Sequence, residues 1–284
     1  MPDPSPLPFT PRLEDARFLT GAATYSADLN ADQQLHAVMV RSDHAHATIM
    51  RINTAAARDF AGVLAVFTDA DLAPDNLNPL PCNAVFDAVS PLIIPPRRAL
   101  ARGRVRQVGD IFAMVVAETQ YQAQDAAEVL EIEYEELPWV TDTATTAETD
   151  GPAVWEQSPA NTPVDTVFGD PVATDAAFVR ATHVVKMDFH IDRVTGVPLE
   201  PRSALAVPDP TTGRITLYAG SGGAVRQKRE ITETLGLDAD DLQVISKDVG
   251  GNFGTRNRVY VEFPLVIHAA KVLGKPVKFT CGRD

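Results

Sequence analysis

Cysteine is nearly missing: Cys82 and Cys281 are the only two in 284 residues. That excludes a disulfide framework and any Cys-rich zinc or iron–sulfur site within the chain, and it fits a reducing compartment. Basic residues are also scarce, 25 Lys and Arg against 38 Asp and Glu, for a net charge of −13. This balance argues against a nucleic-acid backbone or an anionic membrane surface as the main partner. No apolar run approaches the roughly 20 residues that a membrane helix requires. The N-terminal MPDPSPLPFTPRLEDARF lacks the charged-then-apolar layout of a secretory signal, so the chain is expected to be cytoplasmic with no membrane span. No Ser or Cys sits in a nucleophile elbow or an electropositive setting, which counts against hydrolase chemistry.

What is present is ample apolar material, 45% of the residues, enough for one large domain or two of ordinary size. Pro2, Pro4, Pro6, Pro8 and Pro11 give residues 1–18 the character of an extended arm. LHAVMVRS (35–42), ATIMRIN (47–53), GVLAVFT (62–68), IFAMVVA (111–117) and LEIEYEEL (130–137) read as strands, with a short helix over 54–60 and another over 118–129. Strands and short helices in this order predict an α+β unit of about 120 residues. Residues 138–180, rich in Thr, Asp, Pro and Ala, read as a surface connection. Beyond it, ATHVVKMDFHIDR (181–193) alternates like a long strand, followed by strands at SALAVPD, RITLYAG and LQVISKD. Helices are expected over 224–236, closed by Gly236, and within 259–276, closed by Gly274 and Pro276.

Two glycine clusters fall at strand-to-helix transitions. DVGGNFGTRN (248–257) carries Gly250, Gly251 and Gly254; the other cluster is Gly220, Gly222 and Gly223. Each is either a tight turn that needs positive φ or a set of backbone amides open to an anion, a phosphate or a metal-bound oxo group. Neither has the spacing of a dinucleotide fingerprint, nor the Lys-Ser/Thr of a phosphate loop. Glu200 and Arg202, in TGVPLEPRSA, read as a structural ion pair or strand-end polar contacts. His44 and His46 stand two apart beside Asp43, yet no third ligand lies in range and no metal site is assigned. His268 reads as a core residue, Cys82 as incidental and Cys281 as a buried thiol.

RLEDARFLTGAATYSADL, LHAVMVRSDHAHATI, VRQVGDIFAMVVAET, GVPLEPRSALA, LQVISKDVGGNFGTRN and KVLGKPVKFTCGRD, taken in order, resemble the molybdopterin-binding large subunit of the xanthine dehydrogenase, aldehyde oxidase and carbon monoxide dehydrogenase family. The resemblance implies an extended arm over 1–18, an α/β hammerhead domain over 19–140, and over 150–284 the first part of a molybdenum-cofactor-binding α+β domain. It implies a molybdenum–molybdopterin cofactor, in bacteria in its cytosine dinucleotide form, and a small-molecule substrate hydroxylated at carbon with water-derived oxygen. Gly250, Gly251, Asn252, Phe253 and Gly254 match the family's cofactor loop, and Gly222 and Gly223 are expected beside it. Many relatives have Gly where Asn252 stands, and Asn257 replaces a purine-binding Glu, which argues against xanthine as substrate. The general-base Glu is expected outside this chain, which carries no catalytic residue of its own. The implied partners are the C-terminal half of a split large subunit, an iron–sulfur subunit and an FAD subunit. The alternative is a non-catalytic truncated remnant or interaction module without cofactor.

Overall fold

In the first half of the chain the alternating and wholly apolar runs become β1 (Leu35–Arg41), β2 (Ala47–Asn53), β3 (Val63–Thr68), β4 (Arg104–Val105), β5 (Ile111–Ala117) and β6 (Glu131–Glu136). These come from a computed structural model that describes residues 11–72, 77–84, 92–143, 145–146, 151–158 and 160–283. The helices there are α1 (Asp15–Leu19), α2 (Ala55–Arg58), α3 (Asp69–Leu72) and α4 (Gln120–Glu128). Thr119 starts α4 because its hydroxyl accepts the Gln122 amide at 3.2 Å. The second half contributes α5 (Pro171–Arg180), β7 (Ser203–Pro208), β8 (Ile215–Ala219), α6 (Ala224–Leu235), β9 (Leu242–Ile245), α7 (Glu262–Leu273) and β10 (Val277–Thr280). Gly236 and Gly274 close α6 and α7 in the left-handed conformation that glycine adopts without steric cost.

Seven strands make one sheet in the order β3-β5-β1-β10-β7-β8-β9. The parallel pair β1–β10 joins the two halves of the chain, with Leu35 opposite Val277 and Ala37 opposite Phe279. The sheet therefore combines strands from both halves of the chain, and one core follows it. Met114, Val116 and Phe67 from the first half share that core with Phe263, Ile267, Leu217 and Phe279 from the second. A smaller cluster under α2 and α4, including Val115, Ala117, Ala123 and Ala126, covers the opposite face. Covered on both sides, β5 has every residue buried, which explains why its sequence does not alternate. A three-stranded sheet, β4-β2-β6, stands apart, and Glu131, Glu133 and Glu135 of β6 face solvent.

Three expectations need correction. Residues 15–18 of the presumed arm begin α1, and positions 1–10 lie outside the described residues. The connection 138–180 contains α5, started by Pro171 at its first turn and by the Asp170 carboxylate, which accepts the Ala173 amide at 2.9 Å. Residues 181–193 form no ladder, because no strand among the described residues pairs with them. A strand needs a neighbour for its backbone groups, and alternation alone does not supply one.

Candidate functional site

Strand order decides which loops meet. β8 and β9 run parallel side by side, so their C-terminal ends, and the glycine turns that follow, emerge together. β7 is antiparallel to β8, with Ala204 opposite Ala219, so the TGVPLEPR turn before β7 reaches the same end of the sheet. Three segments separated by many residues in sequence thus share one edge.

Arg256 ties them together. Its guanidinium pairs with the Glu200 carboxylate and donates to the Glu200 carbonyl, both partners being almost wholly buried. Its own carbonyl accepts the Gly222 amide at 2.9 Å. Glu200 in turn accepts the Gly250 amide at 2.7 Å and the Ser26 amide at 3.2 Å. A Cβ on Gly220 would stand 2.7 Å from the Arg256 guanidinium, and one on Gly222 would strike the side chains of Asn252 and Asn257. The glycines at 220 and 222 are there so that the two turns can close on each other. Gly223 has open space at its Cβ position and an extended φ of 175°, so nothing in the chain requires glycine there.

The Gly250–Gly254 loop ends in a tight turn in which the Thr255 amide donates to the Asn252 carbonyl at 3.0 Å. Its central residues, Phe253 and Gly254, have φ of 49° and 80°. Gly251, just before it, has φ of 114° and lies against Pro198. The positive φ at Phe253 is a strained position for a bulky residue, of about 1–3 kcal/mol. Its ring points outward and is 77% exposed. Asn252 holds the turn from both ends of its side chain: Oδ1 accepts the Arg256 amide at 3.2 Å and Nδ2 donates to Asn257 at 2.9 Å. Where Gly would leave the loop loose, Asn252 makes it self-supporting, and its amide is committed to the chain itself. The N–H groups of Gly251, Asn252, Phe253 and Gly254 have no acceptor among the described residues. Four successive free donors on an open turn are a cradle for negatively charged oxygen. The residues present therefore fit an anionic or oxo-bearing group.

The N-terminal segment braces this edge. Asp248 accepts the Thr24 amide at 2.8 Å, pairs with Arg17, and donates its own amide to the Thr24 carbonyl at 3.1 Å. The Arg17 guanidinium and the Thr24 amide hold the Asp248 carboxyl below its ordinary value of 3.8. A depressed carboxylate stabilises the folded state above the unfolded value, and that contribution is lost as pH falls through the folded one. Amides of residues 17–28 should accordingly exchange faster as pH drops below 3.8, after correction for the intrinsic pH dependence of exchange. In Asp248→Asn the segment should exchange faster already at pH 7 and show no such step; a step that survives in the variant would exclude this carboxylate as its cause.

Other predicted residues have different partners. Glu200 and Arg202 do not pair with each other: Arg202 donates to Glu262 at 3.1 Å, shares it with Arg41 at 2.6 Å, and lies over the Tyr260 ring. Both precede β7, which begins at Ser203, so no strand alternation fixes their relative direction and each finds a partner elsewhere in the chain. His44 faces Asp43 and Glu136, and His46 donates from Nδ1 to the Pro138 carbonyl at 2.9 Å. No metal-holding group is found among the described residues. His268 is buried in α7 with its ring edge-on to Phe67. Cys82 is exposed; Cys281 is half-buried, at 3.6 Å from the Arg202 guanidinium. A cavity of about 990 Å³, lined by Arg41, Arg97, Arg104, Arg106 and Arg202 among others, includes no residue of either glycine turn. Sequence reasoning missed the Glu200–Arg256 pair because its members are 56 positions apart and only the β7–β8–β9 order brings them together.

Residues 20–138 match the family described as aldehyde oxidase and xanthine dehydrogenase, a/b hammerhead domain, and residues 154–284 match the molybdopterin cofactor-binding domain. The chain is 36% identical over 271 residues to the nicotine 6-hydroxylase large subunit of Paenarthrobacter nicotinovorans, covering 95% of this chain and 32% of that protein. It is 34% identical to the carbon monoxide dehydrogenase large chain of Afipia carboxidovorans, covering 94% and 34%. The solved structure of reconstituted CO dehydrogenase from Oligotropha carboxidovorans superposes with a TM-score of 0.85 at 32% identity, over 96% of this chain and 34% of that one. The chain thus spans about a third of the length of each of these three relatives. No helix among the described residues is long and apolar enough to cross a membrane. With a hammerhead model over residues 20–138 followed by a molybdopterin cofactor-binding model over 154–284, the chain belongs to the xanthine dehydrogenase, aldehyde oxidase and carbon monoxide dehydrogenase family of molybdopterin-binding large subunits.

Proposed function

We propose that this chain is the cofactor-cradling part of a molybdenum hydroxylase, in which the amides of Gly251–Gly254 hold a molybdenum–molybdopterin group and the Gly222–Gly223 turn, its own amides engaged by Arg256 and Ser221, lies beside it. When bound, that group supplies the oxygen-transfer and two-electron chemistry by which a substrate carbon is hydroxylated with oxygen from water. The chain's own contribution is to bind and orient. Free backbone donors meet negative charge without a titratable side chain, so the cradle is indifferent to pH across the physiological range. The exposed Phe253 ring excludes water on one flank of the turn, and the buried Glu200–Arg256 pair keeps the donors from turning inward. Asn257, engaged with Asn252, offers no carboxylate to a purine. The general-base Glu, the iron–sulfur clusters and the FAD are assigned to the rest of the large subunit and to partner subunits, and the cofactor to its cytosine dinucleotide form in the cytoplasm.

The run of four unpaired amides on an open turn carries this reading, and Gly254 tests it. A Cβ there meets nothing of the chain within 4 Å, but its φ of 80° makes any side chain strained by about 1–2 kcal/mol. Gly254→Ala should leave the chain folded while molybdenum and pterin in the purified assembly fall to less than about a tenth of the wild-type content, the added methyl blocking close approach to the amides. Undiminished metal content in that variant would refute the assignment. Absence of molybdenum and pterin from the wild-type assembly would instead identify a non-catalytic interaction module.

A further inference from the structure

We infer that the arginine-lined cavity at one end of the large sheet, where β1 ends and β5 and β7 begin, binds a polyvalent oxyanion: a phosphate ester or a di- or tricarboxylic acid. Seven of its lining residues are arginines and two are acids, Asp110 and Glu262, in a chain whose net charge is −13. Positive charge is thus gathered here against the overall balance. At about 990 Å³ the space is ample for such a ligand. The inference stands apart from the cofactor reading, because no lining residue belongs to either glycine turn.

Counter-ions within the chain account for only some of these arginines. Arg41 and Arg202 share Oε1 of Glu262 at 2.6 and 3.1 Å, and Arg102 pairs with Asp69 at 2.8 Å. Arg104 makes a loose contact of 3.5 Å with Glu156, whose side chain is 83% exposed. Arg97, Arg98 and Arg106 form no ion pair among the described residues. Asp110 does not serve the Arg106 guanidinium, because its carboxylate accepts the Arg106 backbone amide at 2.7 Å. That guanidinium instead lies 3.8 Å from the centre of the Trp155 ring and donates to the Val154 carbonyl at 3.2 Å. Asn161 fastens the loop that carries Trp155: its Oδ1 accepts the Val154 amide and its Nδ2 donates to the Pro152 carbonyl, both at 2.9 Å. A stacked guanidinium has its remaining N–H groups fixed in direction, which suits two-point contact with carboxylate or phosphate. Burial, and after it the Arg104 charge, hold Arg106 below its ordinary pKa. An anion relieves such crowding, and three cations without a counter-ion call for more than one negative charge. In the same wall, Arg202 Nε and Glu262 Oε2 are sheltered and without a partner among the described residues, so the chain does not saturate this wall by itself.

Calorimetric titration of the chain with pyrophosphate and with citrate, at a fixed ionic strength of about 0.15 M, tests the site. At least one should bind one to one with a Kd of about 100 μM or tighter, and acetate should not. The tighter of the two assigns the ligand to phosphate esters or to polycarboxylic acids. Binding should shift the emission of Trp155, and Trp155→Phe should abolish that shift. Arg97→Ser with Arg98→Ser should weaken binding at least about thirtyfold. Neither side chain has a hydrogen bond or ion pair among the described residues, so the denaturant midpoint should hold. Arg226→Ser with Arg229→Ser removes the same two charges from the exposed face of α6 and should change the affinity less than about threefold. Equal losses in the two pairs would reduce the effect to overall charge and overturn the site. Undiminished binding in Arg97→Ser with Arg98→Ser, or no binding of either anion, would overturn it as well.

Discussion

Replacing Arg256 by methionine should destabilise the chain by about 3–5 kcal/mol, because it leaves the Glu200 carboxylate buried without its cation. Few single changes in this protein should cost as much. Arg256 has a side chain only 3% exposed and Glu200 one only 4%, so water cannot take the guanidinium's place. The remaining donors to Glu200, the Gly250 and Ser26 amides, each offer one hydrogen bond and no net charge. The loss should also be local in a recognisable way. With the guanidinium gone, the turn before β7 loses its hold on the 250–254 loop, and loop amides should exchange faster than those of α7, which begins only six residues after Arg256 in sequence. Glu200→Met with Arg256→Met should cost less than the sum of the single changes, since an apolar pair strands no charge. Denaturant midpoints read all three. A cost below about 1 kcal/mol for Arg256→Met would mean that the pair is hydrated and does not hold the turns together.

The contrast between what was legible in the sequence and what was not has a physical cause at each place. ATIMRIN and IFAMVVA became β2 and β5 with the predicted bounds, because a strand whose covering neighbours lie in the same chain carries its burial pattern in its own residues. Residues 181–193 carry an equally clear pattern, but no strand among the described residues pairs with them, so the same rule predicted a ladder that did not form. α5 was hidden for the opposite reason: all ten of its residues lack burial, and only Asp170 and Pro171 marked its start. At the candidate site, the glycines at 220, 222, 250, 251 and 254 were visible as punctuation, and the parallel β8–β9 pair explains why both sets lie together. The charge pair that fixes them was not legible, because Glu200 has Arg202 two positions away and Arg256 fifty-six away, and proximity along the chain favoured the wrong partner.

Gly250→Ala should separate the steric demands of the loop from its ligand demands. The new Cβ would stand 2.5 Å from the Cβ of Glu200, well inside contact distance. Glu200 cannot retreat. Its amide donates to the Gly250 carbonyl at 3.4 Å, its carbonyl and carboxylate are held by Arg256, and the carboxylate also receives the Gly250 and Ser26 amides. The loop must lift instead, giving up both of its hydrogen bonds to Glu200, at a cost of about 2–4 kcal/mol. Gly254→Ala meets open space and should cost about 1–2 kcal/mol through its backbone angle alone. Gly223→Ala, with open space and an extended φ, should cost less than either in the isolated chain. Stability in the isolated chain should therefore fall in the order Gly223, Gly254, Gly250, from least to most damaging. Molybdenum content in the assembly should fall sharply for both Gly250→Ala and Gly254→Ala, the first by moving the amides and the second by covering them. If metal content instead tracks stability across the three variants, with Gly254→Ala nearly unaffected, the loop serves the fold and the cofactor is held elsewhere.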